Sequence, residues 1–155
     1  YLQWDRRWGQ NKYTDDNIAI NGCGPTSMAM VISGLLKDNS ITPVELAKYE
    51  EYSEKSGTGW EYFTEIPKKY GIKVKELSTN EKIYKNELKN GRPIIANVGP
   101  GDFSSTGHYI VLVGVDEDGM FIINDSNSPT NTNEKWSFER LRSQIKNSWS
   151  FVKGE

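Results

Sequence analysis

The order of secondary-structure signals along the chain is the feature that most constrains its fold. Residues 25–90 carry mostly helical signals, whereas residues 93–125 are rich in Ile, Val and aromatic side chains. That second composition is typical of strands. A helical part followed by a strand-rich part predicts an α+β domain, in which the helices lie apart from an antiparallel sheet.

Two helices are predicted at the start of the helical part. The first covers about residues 24–36, because Pro25 is favoured in a first helical turn, and its apolar stripe is expected to be buried. The second begins at Thr42, which forms a capping box with Glu45, and it ends before Ser56.

The remaining predicted elements are mostly shorter. Gly71 is expected to end the third helix, because a glycine adopts the left-handed conformation of a helix C-terminus at little cost. The further helices are predicted at residues 60–70, 81–88 and 138–144. The strands are predicted at residues 72–77, 93–98, 109–115, 120–125 and 149–152, with a hairpin turn at residues 116–119.

The length of the chain and its even composition indicate one domain. Its 155 residues are enough to bury most of the surface that the unfolded chain exposes. No repeat, low-complexity tract or flexible linker divides them, so we expect residues 1–155 to form a single domain. The chain starts at Tyr1, without an initiator Met or an apolar leader, and we expect it to be a piece of a longer protein.

Charge and hydropathy exclude two classes of partner. The net charge is −2, and acidic and basic residues are interspersed, so the basic surface that nucleic acids require is missing. The longest apolar runs, at residues 28–32 and 109–113, are far shorter than the roughly 20 residues that cross a bilayer. We expect a soluble monomer without nucleic-acid binding or membrane insertion.

The chain has one cysteine, Cys23, and one histidine, His108. A single cysteine forms no internal disulfide, and the pair supplies too few ligands for a four-coordinate zinc site. We therefore expect no structural zinc site. Packing must stabilise the fold, and an aromatic content of 12% can contribute to it.

Cys23 lies between Gly22 and Gly24 at the predicted start of the first helix. The helix dipole and the free backbone amides at that end favour the thiolate, which is the nucleophilic form of cysteine. The glycines leave room for a substrate backbone. These features indicate a catalytic nucleophile; the alternative is a small buried apolar residue, which is a common role for a lone cysteine.

His108 follows Gly107 and opens a predicted strand. No other imidazole is present to act as a base near neutral pH. Its position at the mouth of a strand favours a catalytic base over an ordinary surface or core histidine.

Strand parity decides whether Asp125 or Asn124 can orient the His108 ring. If the hairpin loop has an even number of residues, Asp125 faces the same side of the sheet as His108. An odd loop or a bulge would exchange the two residues. The facing residue would accept a hydrogen bond from the ring and fix its tautomer. Alternatively, residues 125–128 form a plain turn that caps its own backbone.

An oxyanion formed by attack on a carbonyl needs hydrogen-bond donors. The backbone N–H of Cys23 is one, and a side-chain amide is the usual second donor. Gln3 is the best candidate, with Gln10 as a nearby rival. Trp4 and Trp8 in the same segment are expected to seal the core.

Substrate contacts are harder to predict. Trp60, Tyr62, Phe103 and Tyr109 are possible cleft aromatics, although each could equally pack in the core. The glycine-containing loop at residues 99–107 could move over the cleft.

At these residues the chain resembles the papain-like cysteine peptidases related to the bacteriocin-processing, double-glycine-leader peptidases. The resemblance rests on four short motifs in the order Gln, Cys, His and Asp, which together span most of the chain. They are Gln3–Gly9, Asn21–Ser27, Gly107–Tyr109 and Asn124–Asp125.

The resemblance implies a two-lobed fold, in which the Cys-bearing helix of an N-terminal helical lobe packs against a C-terminal antiparallel sheet. It also implies four roles: Gln3 stabilises the oxyanion and Cys23 attacks, while His108 shuttles the proton and Asp125 orients its ring. The activity would be that of a cysteine endopeptidase that hydrolyses peptide bonds through a thioester, and the resemblance implies that it needs no metal or organic cofactor.

The resemblance further suggests a bacterial protein that is extracellular or associated with the cell wall, with cell-wall peptides or secreted proteins as substrates. The leader-processing enzymes themselves belong to membrane transporters, so cleavage after a double glycine is not carried over. Two alternatives stay open, namely acyl transfer to an amine at the same site and a catalytically silent module that binds peptides.

Overall fold

The computed structural model places helices and an antiparallel sheet in separate layers. It describes residues 2, 5, 7–10, 12–13, 16–17, 23–49, 53–54, 57–58, 60–104 and 107–154. The helices are α1 (Cys23–Leu36), α2 (Pro43–Ala47), α3 (Tyr62–Glu65), a 3-10 helix (Pro67–Tyr70), α4 (Glu81–Lys89), α5 (Pro129–Asn133) and α6 (Phe138–Arg142). Among the described residues, no helix combines the length and the apolar character that crossing a membrane requires.

Six strands form one antiparallel sheet in the order β5-β10-β6-β7-β8-β9. Its strands are β5 (Ile72–Glu76), β6 (Ile94–Val98), β7 (His108–Val115), β8 (Phe121–Asn124), β9 (Lys135–Trp136) and β10 (Ile145–Lys153). Two small hairpins pair β1 (Lys12–Tyr13) with β2 (Asp16–Asn17), and β3 (Ser53–Glu54) with β4 (Gly57–Thr58).

The sheet separates two apolar cores, because alternate residues of a strand face opposite sides. On one side, Tyr109 and Val111 of β7 pack with α1 and α3, where the Phe63 ring stacks on Trp149 at 4.8 Å. On the other side, Ile110 and Leu112 of the same strand pack with α4 and α6. β7 is therefore buried on both faces over most of its length, which fixes the strand that begins with His108.

The predicted α+β class is confirmed, and so are the start of α1, the position of α4 and the left-handed residue at Gly71, whose φ is 71°. The second helix was predicted too long, since α2 ends at Ala47 and residues 53–58 contain a hairpin. The predicted capping box is wrong: the Thr42 side chain makes no capping hydrogen bond, and the Glu45 carboxylate accepts one from Tyr70 instead.

The helix predicted at residues 60–70 is interrupted. It consists of α3 and the 3-10 helix, which begins at Pro67. A proline inside a helix removes one backbone hydrogen bond and clashes with the preceding turn, so the chain starts a new helical segment at that residue.

The end of the chain differs more from the prediction. β10 covers nine residues and lies between β5 and β6, whereas only residues 149–152 were predicted as a strand. α5 was missed altogether. Its start has ordinary capping features, because the Ser128 hydroxyl accepts a hydrogen bond from the backbone N–H of Asn131 at 3.0 Å and Pro129 occupies the first turn.

Candidate active site

Cys23 is the first residue of α1, and its side chain is partly buried. The backbone N–H groups of Gly24 and Tyr109 donate hydrogen bonds to its sulfur. Tyr109 belongs to β7, so the contact joins the start of the helix to the sheet. The same helix is attached one turn further on, where the Ser27 hydroxyl lies 3.4 Å from the backbone oxygen of Tyr109. These contacts place the thiol at the line where the helix meets the sheet.

His108 is the first residue of β7 and is 6% exposed. Its Nε2 lies 2.6 Å from Oδ1 of Asp125, and the ring also forms a hydrogen bond with Cys23. Since Nε2 faces the carboxylate, Nδ1 is the nitrogen that can face the thiol. The structure thus brings together three of the predicted site residues, Cys23, His108 and Asp125, from a helix start and two strand ends.

The electrostatics of this group favour charge separation between sulfur and ring. Burial by itself raises the pKa of the Cys23 thiol, but the hydrogen bond to His108 and the charge of its ring lower that pKa below its ordinary value. Burial opposes the charged form of His108, whereas its hydrogen bonds to Asp125 and Cys23 raise its pKa to about 10. Both shifts favour a thiolate and an imidazolium over a neutral thiol and a neutral ring.

Strand register explains why Asp125 and not Asn124 faces His108. The hairpin loop holds three residues, 117–119, since Asp116 N–H donates to the Met120 oxygen at 2.9 Å. An odd loop alone would bring Asn124 to this face. A bulge between Leu112 and Gly114 shifts the pairing by one further residue. The two shifts cancel, so Asp125 shares a face with His108.

Asp125 is 2% exposed and accepts three hydrogen bonds. Its Oδ1 accepts from the His108 ring and, at 2.9 Å, from the backbone N–H of Asn127; its Oδ2 accepts from the Asn131 side chain at 3.0 Å. Burial raises the pKa of this carboxyl group, but the hydrogen bond and charge of His108, with the donors Asn131 and Asn127, lower it below its ordinary value. Asp125 is held as a carboxylate.

Asn131 is a member of this network that the sequence prediction missed. Ser128 followed by Pro129 is a helix-start signal that could have placed a short helix here. That signal would not have shown the contact with Asp125, which depends on α5 folding back beside the end of β8.

The loop between β6 and β7 is attached at its first half. The Asp102 carboxylate pairs with Arg140 of α6 at 2.9 and 3.1 Å and accepts a hydrogen bond from Gln144 at 2.8 Å. The backbone also fits closely, because a Cβ atom at Gly101 would lie 2.4 Å from Oε1 of Gln144. These contacts oppose the predicted motion of this loop over residues 99–104.

The other predicted site residues are the candidate oxyanion donors and the possible cleft aromatics. Gln3, the candidate for the oxyanion donor, lies outside the described residues, and its rival Gln10 is exposed. Of the four possible cleft aromatics, three are buried in the two cores and Trp60 is 52% exposed. The buried three are Tyr62, Phe103 and Tyr109. These three aromatics therefore pack in the core, which was the alternative to a role in the cleft.

A cavity of about 440 Å³ lies beside Asp125. The N-terminal segment, α1, the end of β8 and α5 all contribute to it. Its lining residues are Leu2, Asp5, Arg7, Met30, Asn124, Asp125, Pro129, Thr132 and Asn133.

A cysteine at the start of a helix that packs on an antiparallel sheet, with a histidine and an aspartate at neighbouring strand ends, defines the papain-like class of cysteine peptidases. Solved structures agree with this class. A family model described as the Peptidase_C39 like family matches residues 3–155. The chain therefore belongs to this family and is a cysteine peptidase, which is a hydrolase.

Three solved structures illustrate the likeness of fold. The peptidase domain of Streptococcus ComA, a bi-functional ABC transporter involved in quorum sensing, has a TM-score of 0.68 and 22% identity, over 87% of this chain and 93% of that one. A double glycine motif protease from an AMS/PCAT transporter, in complex with the leader peptide, has a TM-score of 0.60 and 20% identity, over 96% and 94%.

The third structure is the ragweed pollen allergen Amb a 11, a cysteine protease in its proform, with a TM-score of 0.62 and 11% identity over 99% of this chain and 65% of that one. No curated protein sequence matches the chain. The expected papain-like two-lobed fold and the expected family are confirmed.

Proposed function

We propose that the chain is an endopeptidase in which Cys23 is the nucleophile, His108 the acid and base, and Asp125 the residue that orients the ring. The observation that carries this proposal is the hydrogen-bonded series from sulfur to imidazole to carboxylate, with Nε2 of His108 2.6 Å from Oδ1 of Asp125. A structural cysteine in a core would need neither a charged ring beside it nor a buried carboxylate behind that ring.

The reaction follows from the protonation states of this series. The Cys23 thiolate attacks the carbonyl carbon of the peptide, and the imidazolium of His108 gives its proton to the leaving nitrogen as the C–N bond breaks. This leaves a thioester on Cys23 and a neutral ring. His108 then takes a proton from water while the water oxygen attacks the thioester, and the C–S bond breaks to release the carboxylic acid product.

Asp125 stabilises the charged ring in both half-reactions. It is buried and accepts three hydrogen bonds, so it cannot turn away from His108 without leaving polar groups unpaired. The backbone N–H of Cys23 at the start of α1 is a suitable donor for the oxyanion. Gln3 remains our proposal for the second donor.

We further propose that the substrates are cell-wall peptides or secreted proteins, that the enzyme acts as a monomer, and that it works outside a bacterial cell or at its wall. The support is the family relationship, together with the leader peptide that the structurally similar AMS/PCAT protease binds.

The test is the pH dependence of Cys23 alkylation by iodoacetamide, in the wild type and in His108→Ala. Because the pKa of Cys23 is lowered and that of His108 is raised to about 10, the wild-type thiolate should react well below pH 8. In His108→Ala the reaction should require a pH near or above the ordinary thiol pKa of about 8.5. A wild-type thiol that titrates like the variant would contradict the proposal.

A further inference from the structure

The second oxygen of Asp125 has its own side-chain donor. Asn131 places Nδ2 3.0 Å from Oδ2, while His108 and the backbone N–H of Asn127 both use Oδ1. A carboxylate that is 2% exposed cannot obtain these hydrogen bonds freely from solvent. Without Asn131, Oδ2 would therefore lose a hydrogen bond in a buried setting, where an unmade bond is costly.

The Asn131 amide is itself fixed in place. Its backbone oxygen accepts a hydrogen bond from the Trp136 indole at 3.1 Å, and its backbone N–H donates to Ser128 at 3.0 Å. Nδ2 also lies 3.5 Å from the backbone oxygen of Asp102. Both neighbours of Nδ2 are oxygen acceptors, so the amide must present its NH₂ group, and not its oxygen, toward Asp125.

The residues around Asn131 are closely packed. Trp136 is 1% exposed, its ring packs on Phe103 at 4.7 Å, and the Arg140 guanidinium lies 4.3 Å from its centre. Arg140 also forms the ion pair with Asp102. The amide thus reaches Asp125 from a packed surface that joins α5, β9, α6 and the loop before His108.

We propose that Asn131 is a positioning residue for the reaction at Cys23: its amide holds the Asp125 carboxylate in the orientation that keeps the charged His108 ring against the thiolate. This inference rests on the proposed function of that site. Asn131 touches neither the sulfur nor the ring, and it acts through Asp125.

Removal of the Asn131 amide should change the pKa values of Cys23 and His108 in opposite directions. If the amide is removed, Asp125 is stabilised less as a carboxylate and is free to rotate, so it stabilises the imidazolium less. The imidazolium then stabilises the thiolate less. The pKa of Cys23 should rise and that of His108 should fall, so the pH range over which the ion pair exists becomes narrower at both ends.

The experiment compares Asn131→Ala with Glu134→Ala in the 155-residue chain. Glu134 directly follows the same short helix, is exposed, does not line the cavity beside Asp125, and has no side-chain donor for that carboxylate. Two quantities are measured from pH 4 to 11: the rate of Cys23 alkylation by iodoacetamide, and kcat/KM on a peptide that the wild type cleaves. Thermal unfolding and near-ultraviolet circular dichroism report whether each variant is folded.

For Asn131→Ala we expect a loss of kcat/KM of about tenfold to a hundredfold, as for a hydrogen bond to a charged group. The acid limb of the alkylation profile should move to higher pH, and the alkaline limb of the kcat/KM profile should move to lower pH. Glu134→Ala should match the wild type. Should Asn131→Ala not fold, Asn131→Asp has nearly the same shape. It removes the donor and adds a like charge, so its acid limb should move up further still.

Two results would overturn the inference, and they are distinguishable. If the wild type shows an activated thiol and the Asn131 variants keep its pH limbs, with at most a lower melting temperature, Asn131 is only structural. If the wild-type thiol itself is not activated by His108, the proposed function fails, and the inference fails with it.

Discussion

The thiol side of the site and the imidazole–carboxylate side are built differently. Cys23 lies at the start of one helix, where the residues next to it in sequence supply the favourable dipole and a backbone donor. His108 and Asp125 lie at the ends of two strands and are surrounded by side chains from α5, α6 and the loop before β7. The proposed nucleophile thus depends mainly on local structure, and its proposed partners depend on the assembled sheet.

Because of this difference, Cys23 should contribute mainly to activity, whereas Asp125 should contribute to both activity and stability. The Cys23 side chain takes part in few hydrogen bonds outside the site itself. Asp125, in contrast, ties His108, the turn at Asn127 and helix α5 together, and its backbone N–H bonds to the Thr132 hydroxyl at 2.9 Å. Substitutions on the two sides should therefore have distinct signatures, in order of decreasing effect on activity.

The largest loss of activity is expected for Cys23→Ala. The nucleophile is removed, so kcat/KM should fall by about 10⁴-fold or more. The melting temperature should change little, since the variant loses one partly buried sulfur and a charge pair whose burial has its own cost. Assays on the peptide substrate together with calorimetry check both parts. Substantial destabilisation would show that the thiol side is structural too.

A smaller loss of activity, combined with a large loss of stability, is expected for Asp125→Ala. The rate should fall by about 10²–10⁴-fold, the range of general acid–base catalysis. Removing the carboxylate leaves three donors without their acceptor, so the free energy of unfolding should fall by about 3–5 kcal/mol.

Asp125→Asn is the matched control for that variant. Its amide oxygen can still accept a hydrogen bond from the ring, so more activity should remain than in Asp125→Ala. The pKa of His108, about 10 in the wild type, should fall because the negative charge is lost. The alkaline limb of the pH–rate profile should move down accordingly. An unchanged alkaline limb would show that Asp125 does not control the charge of the ring.

The smallest effect is expected for Asp102→Ala, which detaches the loop before His108 from α6. Its ion pair with Arg140 is partly exposed, so the direct cost should be about 1 kcal/mol or less. The rate should fall several-fold, because the loop leads directly into His108. The control is Arg142→Ala on the same helix, which breaks an exposed pair with Glu139 and should leave the rate unchanged. Equal rates in the two variants would show that the attachment of this loop to α6 does not affect catalysis.

The free energy of unfolding should depend on pH through the hydrogen-bonded pair of His108 and Asp125. The pKa of His108 in the folded chain, about 10, lies above its ordinary value of 6.5. The stabilisation it provides is therefore complete below pH 6.5 and is lost as the pH rises through about 10. This dependence should be absent from His108→Ala. Denaturant unfolding of both proteins at pH 7 and pH 10.5 would measure the difference in the free energy of unfolding.

The sequence by itself determined the features that neighbouring residues control. The start of α1, the left-handed turn at Gly71 and the apolar strands near His108 all follow from short-range preferences, and the motifs around Cys23 and His108 indicated the family. These features depend on helix caps, glycine conformations and side-chain periodicity, which act over a few residues.

Only the tertiary structure decided how the distant parts meet. The sequence left Asn124 and Asp125 as alternatives, because a single residue in the loop or a single bulge reverses which of them faces His108. Nothing in the sequence indicated that Asn131 reaches Asp125, or that β10 inserts between β5 and β6. Such contacts depend on register and packing between segments far apart in the chain, which no local preference encodes.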